Sequence, residues 1–302
     1  MAFNHSYTDS SDYYFWINAV GCTIALAGCV GNCLVVAAFW RHACLREDGV
    51  QLIGLLAVTD LFYCSTAFLL GTFRLISIHV LQMGFSRLEC LLQIYPTLSA
   101  IYQSHFVTAT IAVNRYSATA DPLKYQSEVL PIRRIVFCTI SFSFLGASPM
   151  FLGVDLRSPS PACTLGASAH RLFTVYCTVL YCLLGLTVLV FYLRIVRILF
   201  SKRNKVSNTG TNAKQKSKNK REKKLTKTAA TIISIYVATF LVPMFSLFLS
   251  AALGFSEEAR GIHAACAGVS GIFNASVNVL VYAAKSSIIR PYLVATLKGL
   301  VS

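Results

Sequence analysis

The costliest residue in this chain is Asp60. It closes Leu56-Ala57-Val58-Thr59-Asp60, deep in an apolar run from about Val50 to Leu75. A carboxylate at that depth in a membrane costs several kcal/mol, so it needs a cation, a proton or a polar cavity. Arg115 is the second such residue. It stands at the foot of a long apolar run that opens at Cys90, where the side chain can reach the membrane–water boundary. Asn32 places a third polar group deep in the first apolar run. These types support ion binding, hydrogen bonding between helices and conformational switching. They do not support covalent catalysis, because no nucleophile–base pair or metal cluster is apparent, and an enzyme is not expected. A Schiff base needs a mid-membrane lysine, and the lysine of the last apolar run, Lys285, lies at its cytoplasmic end. A transporter or channel would carry repeats or several ionisable groups along a path, whereas Asp60 is essentially alone.

Membrane helices must position these groups. Of 302 residues, 55% are hydrophobic and 13% charged, with mean hydropathy +0.61. Soluble domains carry nearer a quarter charged residues, so this composition points to spans rather than to one soluble core. The runs are about Tyr14–Trp40, Val50–Leu75, the run from Cys90 to Arg115, Ile132–Val154, Arg171–Phe200, Thr228–Leu253 and Ala259–Ala284. The expected fold is an all-α membrane protein, a seven-transmembrane helix bundle over 15–284. Residues 1–14 form a disordered extracellular end, and 201–227 a cytoplasmic loop. In 285–302, the stretch Ser286–Leu300 reads as a short amphipathic interfacial helix. With the N-terminus outside, Arg74, Arg87, Arg157, Arg171 and Arg260 are extracellular, and the other 22 of 27 basic residues are cytoplasmic. That asymmetry fixes the orientation of a multi-pass protein, expected in the plasma membrane. The net charge of +15 therefore reads as an orientation signal and a contact for anionic membrane lipids, not for nucleic acid. Asn4-His5-Ser6 is a glycosylation sequon on the outer side. No basic segment precedes the first run, so a cleaved signal peptide is not expected.

Taken in order, Asn32, Asp60, Cys90, Arg115, Cys163, Tyr192, Pro243, Asn278 and Tyr282 resemble rhodopsin-like (class A) G-protein-coupled receptors, over Gly31 to about Leu300. Cys90 and Asn114-Arg115-Tyr116 resemble the cysteine that opens the third helix of that family and the acid-Arg-Tyr triplet that ends it. Asn278-Val279-Leu280-Val281-Tyr282 resembles Asn-Pro-x-x-Tyr, and Phe240-Leu241-Val242-Pro243 resembles Cys-Trp-x-Pro. The departures are Asn114 for the acid, the missing tryptophans of the fourth and sixth spans, and the missing prolines of the fifth and seventh. The chain reads as a divergent member.

The resemblance implies a disulfide between Cys90 and Cys163, and an extracellular ligand in the outer half of the bundle. It also implies a heterotrimeric G protein at the cytoplasmic face. Asn114, Arg115, Tyr116, Leu123, Tyr192, Pro243, Asn278 and Tyr282 are the expected activation and coupling residues. It implies no cofactor beyond an allosteric sodium ion at Asp60, Ser104, Asn274 and Asn278. In the outer half Gln93, Thr97, Tyr176 and His263 are candidate pocket residues. No acid occurs between Glu89 and the triplet, so a cationic monoamine would lack a counter-ion. A peptide, a lipid or a neutral small molecule stays open. Glu222 stands near the foot of the sixth span, where the resemblance implies an acid that reaches Arg115. Lys220, Arg221, Lys223 and Lys224 compete for it, so with the uncharged Asn114 a weakly latched resting state is expected. The alternatives are a receptor-like protein that does not signal and a small-solute transporter.

Overall fold

The computed structural model describes residues 5–46, 50–81, 83–121, 125, 132–159, 163–205, 231, 234–286 and 288–301. Its main helices are α1 (His5–Arg41), α2 (Gln51–Leu75), α3 (Arg87–Ala120), α4 (Ile132–Ala147), α5 (Arg171–Lys205), α6 (Val242–Ala252), α7 (Glu257–Lys285) and α8 (Arg290–Val301). A π-helical turn, Val237–Leu241, precedes α6. Six of the helical segments are long and apolar enough to cross a membrane. The remaining span is α3, which is 34 residues long but more polar. Its buried residues include Ser99, Ser104, His105, Thr108 and Arg115, because it runs through the middle of the bundle and meets protein rather than lipid. Together these make a seven-helix bundle, followed by the short helix α8. Among the described residues no β-strand forms.

Two expectations need correction. Helix α1 begins at His5, within the end expected to be disordered. No Pro or Gly interrupts His5–Tyr14, so nothing local stops the helix from propagating outward. The fourth helix stops at Ala147 rather than near Val154. A single 3-10 turn, Ser148–Phe151, takes over at Pro149, whose ring cannot continue the α-helical bonding.

The outer helix ends are set by local chemistry. Ser86 and Glu89 make a capping box at the start of α3, with the Ser86 backbone N–H donating to Glu89 Oε2 at 2.7 Å. Ser256 caps α7, and Glu257 and Glu258 occupy its first turn, where negative charge meets the positive end of the helix dipole. Helix α6 ends in a Schellman turn. Phe255 N–H donates to the Ser250 carbonyl at 3.0 Å, and Gly254 takes φ +74°, a conformation that favours glycine. Arg171 of α5 donates from Nε to the Ala251 carbonyl and from Nη2 to the Ala252 carbonyl, covering the last carbonyls of α6.

The interior holds two apolar clusters. The larger joins helices α1 to α7 around Tyr102, Tyr181 and Tyr236. Tyr102 and Tyr181 stack at 4.8 Å, and the His105 ring sits 5.2 Å from Tyr181 and 5.1 Å from Tyr236. The smaller joins α1, α2 and α7 to Ile289 and Leu293, so the C-terminal helix docks by its apolar face. The His42 ring, just past the α1 end, packs tilted against Tyr292 at 5.0 Å. Outside, Phe137, Leu145, Leu172, Leu183, Val242 and Leu280 are exposed. So large an apolar exterior suits lipid rather than water.

Candidate functional site

Three spans converge on Asp60, which is fully buried. Ser104 of α3 donates its hydroxyl to Asp60 Oδ1 at 2.7 Å, and Asn278 of α7 donates Nδ2 to Oδ2 at 2.8 Å. The carboxylate thus uses both oxygens to hold α3 and α7 to α2. Asn278 Oδ1 faces inward, buried and without a hydrogen-bond partner. With the carboxylate and Ser104 Oγ it makes an oxygen-rich set of the kind that hard cations take. Asn274, grouped with these residues on sequence, is not brought to them. Its Oδ1 lies 3.2 Å from the Thr239 hydroxyl, so it ties α7 to the sixth span instead. Asn32 ties α1 to α7, donating to the carbonyls of Gly28 at 3.0 Å and Ala275 at 3.3 Å. Here α1 runs so close to α2 and α7 that a Cβ on Gly28 would collide with Ser276 Oγ and Cys64 Sγ.

Pro243 creates a second polar joint. Having no N–H, it leaves the Thr239 carbonyl without its α-helical donor. In lipid that carbonyl cannot turn to water. The Ser270 hydroxyl of α7 donates to it. The Thr239 hydroxyl bonds the Ile235 carbonyl at 2.8 Å and approaches Asn274. The π-helical turn Val237–Leu241 falls at this joint.

Outward of the joint lies a cavity of about 150 Å³. Met244 and Leu247 of the sixth span form part of its wall, with Tyr63 and Arg74 of α2, Thr97, Leu98 and Ile101 of α3, and Thr164 of the outer loop. The loop is fixed over α3 by the Cys90–Cys163 disulfide, with Cα atoms 5.2 Å apart, and by Arg87 N–H donating to the Ser158 carbonyl at 3.0 Å. Of the four residues expected to line a pocket, Thr97 does so. Gln93 accepts from Arg74 Nε at 3.0 Å and so steadies a side chain of the wall. Tyr176 is 41% exposed and turned away from the cavity. His263 binds its own helix through Nδ1 to the Ala259 carbonyl and packs edge-on against Phe255, also away from the cavity. Arg74, counted on sequence only as an orientation charge, is a charged wall residue that sequence reasoning missed, as it missed Tyr63, Thr164, Met244 and Leu247.

At the cytoplasmic end Arg115 is 2% exposed. Asn114 Oδ1 accepts from the Tyr125 hydroxyl at 3.1 Å, a partner not foreseen from sequence. Tyr116 packs on Phe191 at 5.3 Å, with the Arg194 guanidinium 5.9 Å above its ring. Tyr282 is fully buried in the smaller cluster, and Tyr192 is half-buried against the larger one. Leu123, Glu222 and Asn4 lie outside the described residues.

Comparison with known proteins meets this geometry. The family described as "7 transmembrane receptor (rhodopsin family)" matches residues 31–282. Olfactory receptor 51V1 of Homo sapiens is 28% identical over 145 residues, 46% of this chain and 41% of that protein. Melanopsin-A of Danio rerio is 27% identical over 261 residues, 81% of this chain and 43% of its own length. Octopamine receptor 2 of Lymnaea stagnalis is 29% identical over 186 residues, 59% of this chain and 31% of its own. The chain spans less than half the length of the curated relatives it matches. The helices make it a multi-pass membrane protein, consistent with the plasma membrane. That family is one of receptors and not of enzymes, and its match covers most of the sequence, so the chain belongs to the rhodopsin family of seven-transmembrane receptors.

Proposed function

We propose that this is a G-protein-coupled receptor that binds an extracellular ligand in the outer cavity and activates a heterotrimeric G protein around Arg115. The observation that carries the reading is the stacking of cavity and joint along the sixth span. Met244 and Leu247 meet the cavity, and the adjoining Pro243 frees the carbonyl that Ser270 of α7 holds. A ligand pressing on those two side chains acts directly on a segment whose hydrogen bonds already run to a neighbouring helix. Re-partnering at Thr239, Ser270 and Asn274 swings the cytoplasmic part of the span and uncovers Arg115. Leu123 is proposed to contact the G protein from the following loop. The Asp60 cluster is proposed to seat a sodium ion through the carboxylate, Ser104 Oγ and Asn278 Oδ1, where it would supply a positive charge beside a buried acid. Octopamine, named in one relative, is an amine. Its site is not carried over here, because the cavity wall holds a cation and, among the described residues, no acid.

The test is nucleotide exchange on purified G proteins of each class by the receptor in lipid nanodiscs. Wild type is expected to accelerate exchange, and Arg115→Ala to cut that acceleration by about tenfold, equivalent to 1.4 kcal/mol. No acceleration with any class would overturn the reading.

Asn114 sets the resting level of this activity. Its bond from Tyr125 is neutral, worth about 1 kcal/mol, whereas a carboxylate there would make charge-assisted bonds worth about 1.5–3 kcal/mol. Asn114→Asp is therefore expected to lower ligand-free exchange about fivefold at equal receptor level. A rise, or an unchanged rate, would mean that Arg115 is held by other groups.

A further inference from the structure

The outer cavity is mostly apolar, and among the described residues its wall carries one formally charged side chain. Arg74 lies fourteen residues beyond Asp60, nearly four turns along the same stripe of α2 at 3.6 residues per turn. Its Nε donates to Gln93 Oε1 at 3.0 Å, which uses one of the five N–H groups a guanidinium offers. No Asp or Glu among the described residues lies within ion-pair distance of it, and none lines the cavity. In the same wall the Thr164 hydroxyl oxygen is buried with no hydrogen-bond partner. A guanidinium beside apolar space is costly without a counter-charge, and a buried hydroxyl is costly without a partner. Both costs vanish if the occupant brings the missing acceptor.

Resting on the reading of this cavity as the ligand site, we propose that the ligand is a compact carboxylic acid. Its carboxylate takes the Arg74 fork and the Thr164 hydroxyl, and its apolar body lies against Leu98, Ile101, Met244 and Leu247. The planar guanidinium matches a carboxylate in bidentate fashion. One cation among the described wall residues suits one negative charge. The volume suits a body near the size of one aromatic ring, since a cavity of about 150 Å³ holds benzene. The neutral molecule, lipid or peptide left open by the sequence gives way to an anion because Arg74 turns into the cavity.

The experiment follows thermal unfolding of the purified receptor in nanodiscs, titrated with potassium phenylacetate and, separately, with phenylacetamide. The acid is expected to stabilise at a concentration at least about tenfold lower than its amide, equivalent to 1.4 kcal/mol. Arg74→Gln should bring the two within about twofold. Arg74→Lys and Thr164→Val should each keep part of the preference, and they decide the matter if Arg74→Gln does not fold. The proposal is overturned if acid and amide stabilise equally in wild type, if the amide is favoured, if neither shifts the midpoint, or if the full preference survives Arg74→Gln or, where that variant does not fold, both Arg74→Lys and Thr164→Val. Nucleotide exchange measured with the same compounds separates the two readings. An acid that stabilises without changing exchange supports the anion site and counts against signalling, whereas exchange driven only by uncharged compounds does the reverse.

Discussion

Pro243→Ala is expected to make the protein harder to unfold and a poorer signaller at the same time. Proline inside a helix costs about 3 kcal/mol through its missing N–H and its clash with the preceding turn. Alanine would restore a donor to the Thr239 carbonyl, which now relies on the Ser270 hydroxyl of α7. The restored segment gains intrahelical bonding, so the unfolding free energy should rise by up to about 3 kcal/mol. The same gain removes the reason for the sixth span to lean on α7. Ligand-evoked nucleotide exchange should then fall by about tenfold or more, since a joint worth 1.4 kcal/mol already changes an equilibrium that much. Ser270→Ala is the complementary change. It withdraws the donor while keeping the proline, so it should destabilise by about 1–3 kcal/mol, the cost of a stranded buried acceptor. Thermal unfolding and exchange on the same preparations check both halves. A Pro243→Ala protein that signals normally would show that this joint does not transmit the ligand's effect.

The spans were legible because lipid leaves the backbone few choices, and a long apolar run must become a helix. Orientation followed from Arg and Lys in the loops. Helix α3 was legible for a different reason. Its interior is too polar to stand out by hydropathy, but Cys90 and Arg115 mark its two ends. What could not be read was where each side chain turns. Asn274 and Asn278 sit one turn apart on α7, yet Asn278 reaches Asp60 while Asn274 meets Thr239, because the sixth span brings a hydroxyl to one level and not the other. Tyr176 and His263 are of suitable type and depth, but helix rotation points them away from the cavity, and the backbone of α7 engages His263. Arg74 was hidden by its own charge. Near a helix end a basic residue reads as topology, and its place on the Asp60 stripe was the available sign that it faces inward.

At Asp60 the expected effects split by chemistry. Asp60→Leu removes the acceptor from both the Ser104 hydroxyl and the Asn278 amide, each buried and each now satisfied at under 3 Å. Stranding a buried donor costs about 1–3 kcal/mol, so this variant should lose about 2–6 kcal/mol in all. Asp60→Asn keeps an acceptor oxygen for one of the two donors and should lose correspondingly less, near the lower end of that range. The two variants should nevertheless agree in one respect, because both remove the charge that a cation would need. For wild type, the unfolding midpoint is expected to be higher in sodium chloride than in choline chloride at equal ionic strength, since an ion that binds only the folded state stabilises it in proportion to its occupancy. Neither variant should show that difference. The comparison uses thermal unfolding alone and needs neither ligand nor G protein. An Asp60→Asn protein that keeps the full sodium effect would place the ion elsewhere. A wild type without the effect would leave the Asp60 carboxylate as a hydrogen-bonded tie between α2, α3 and α7.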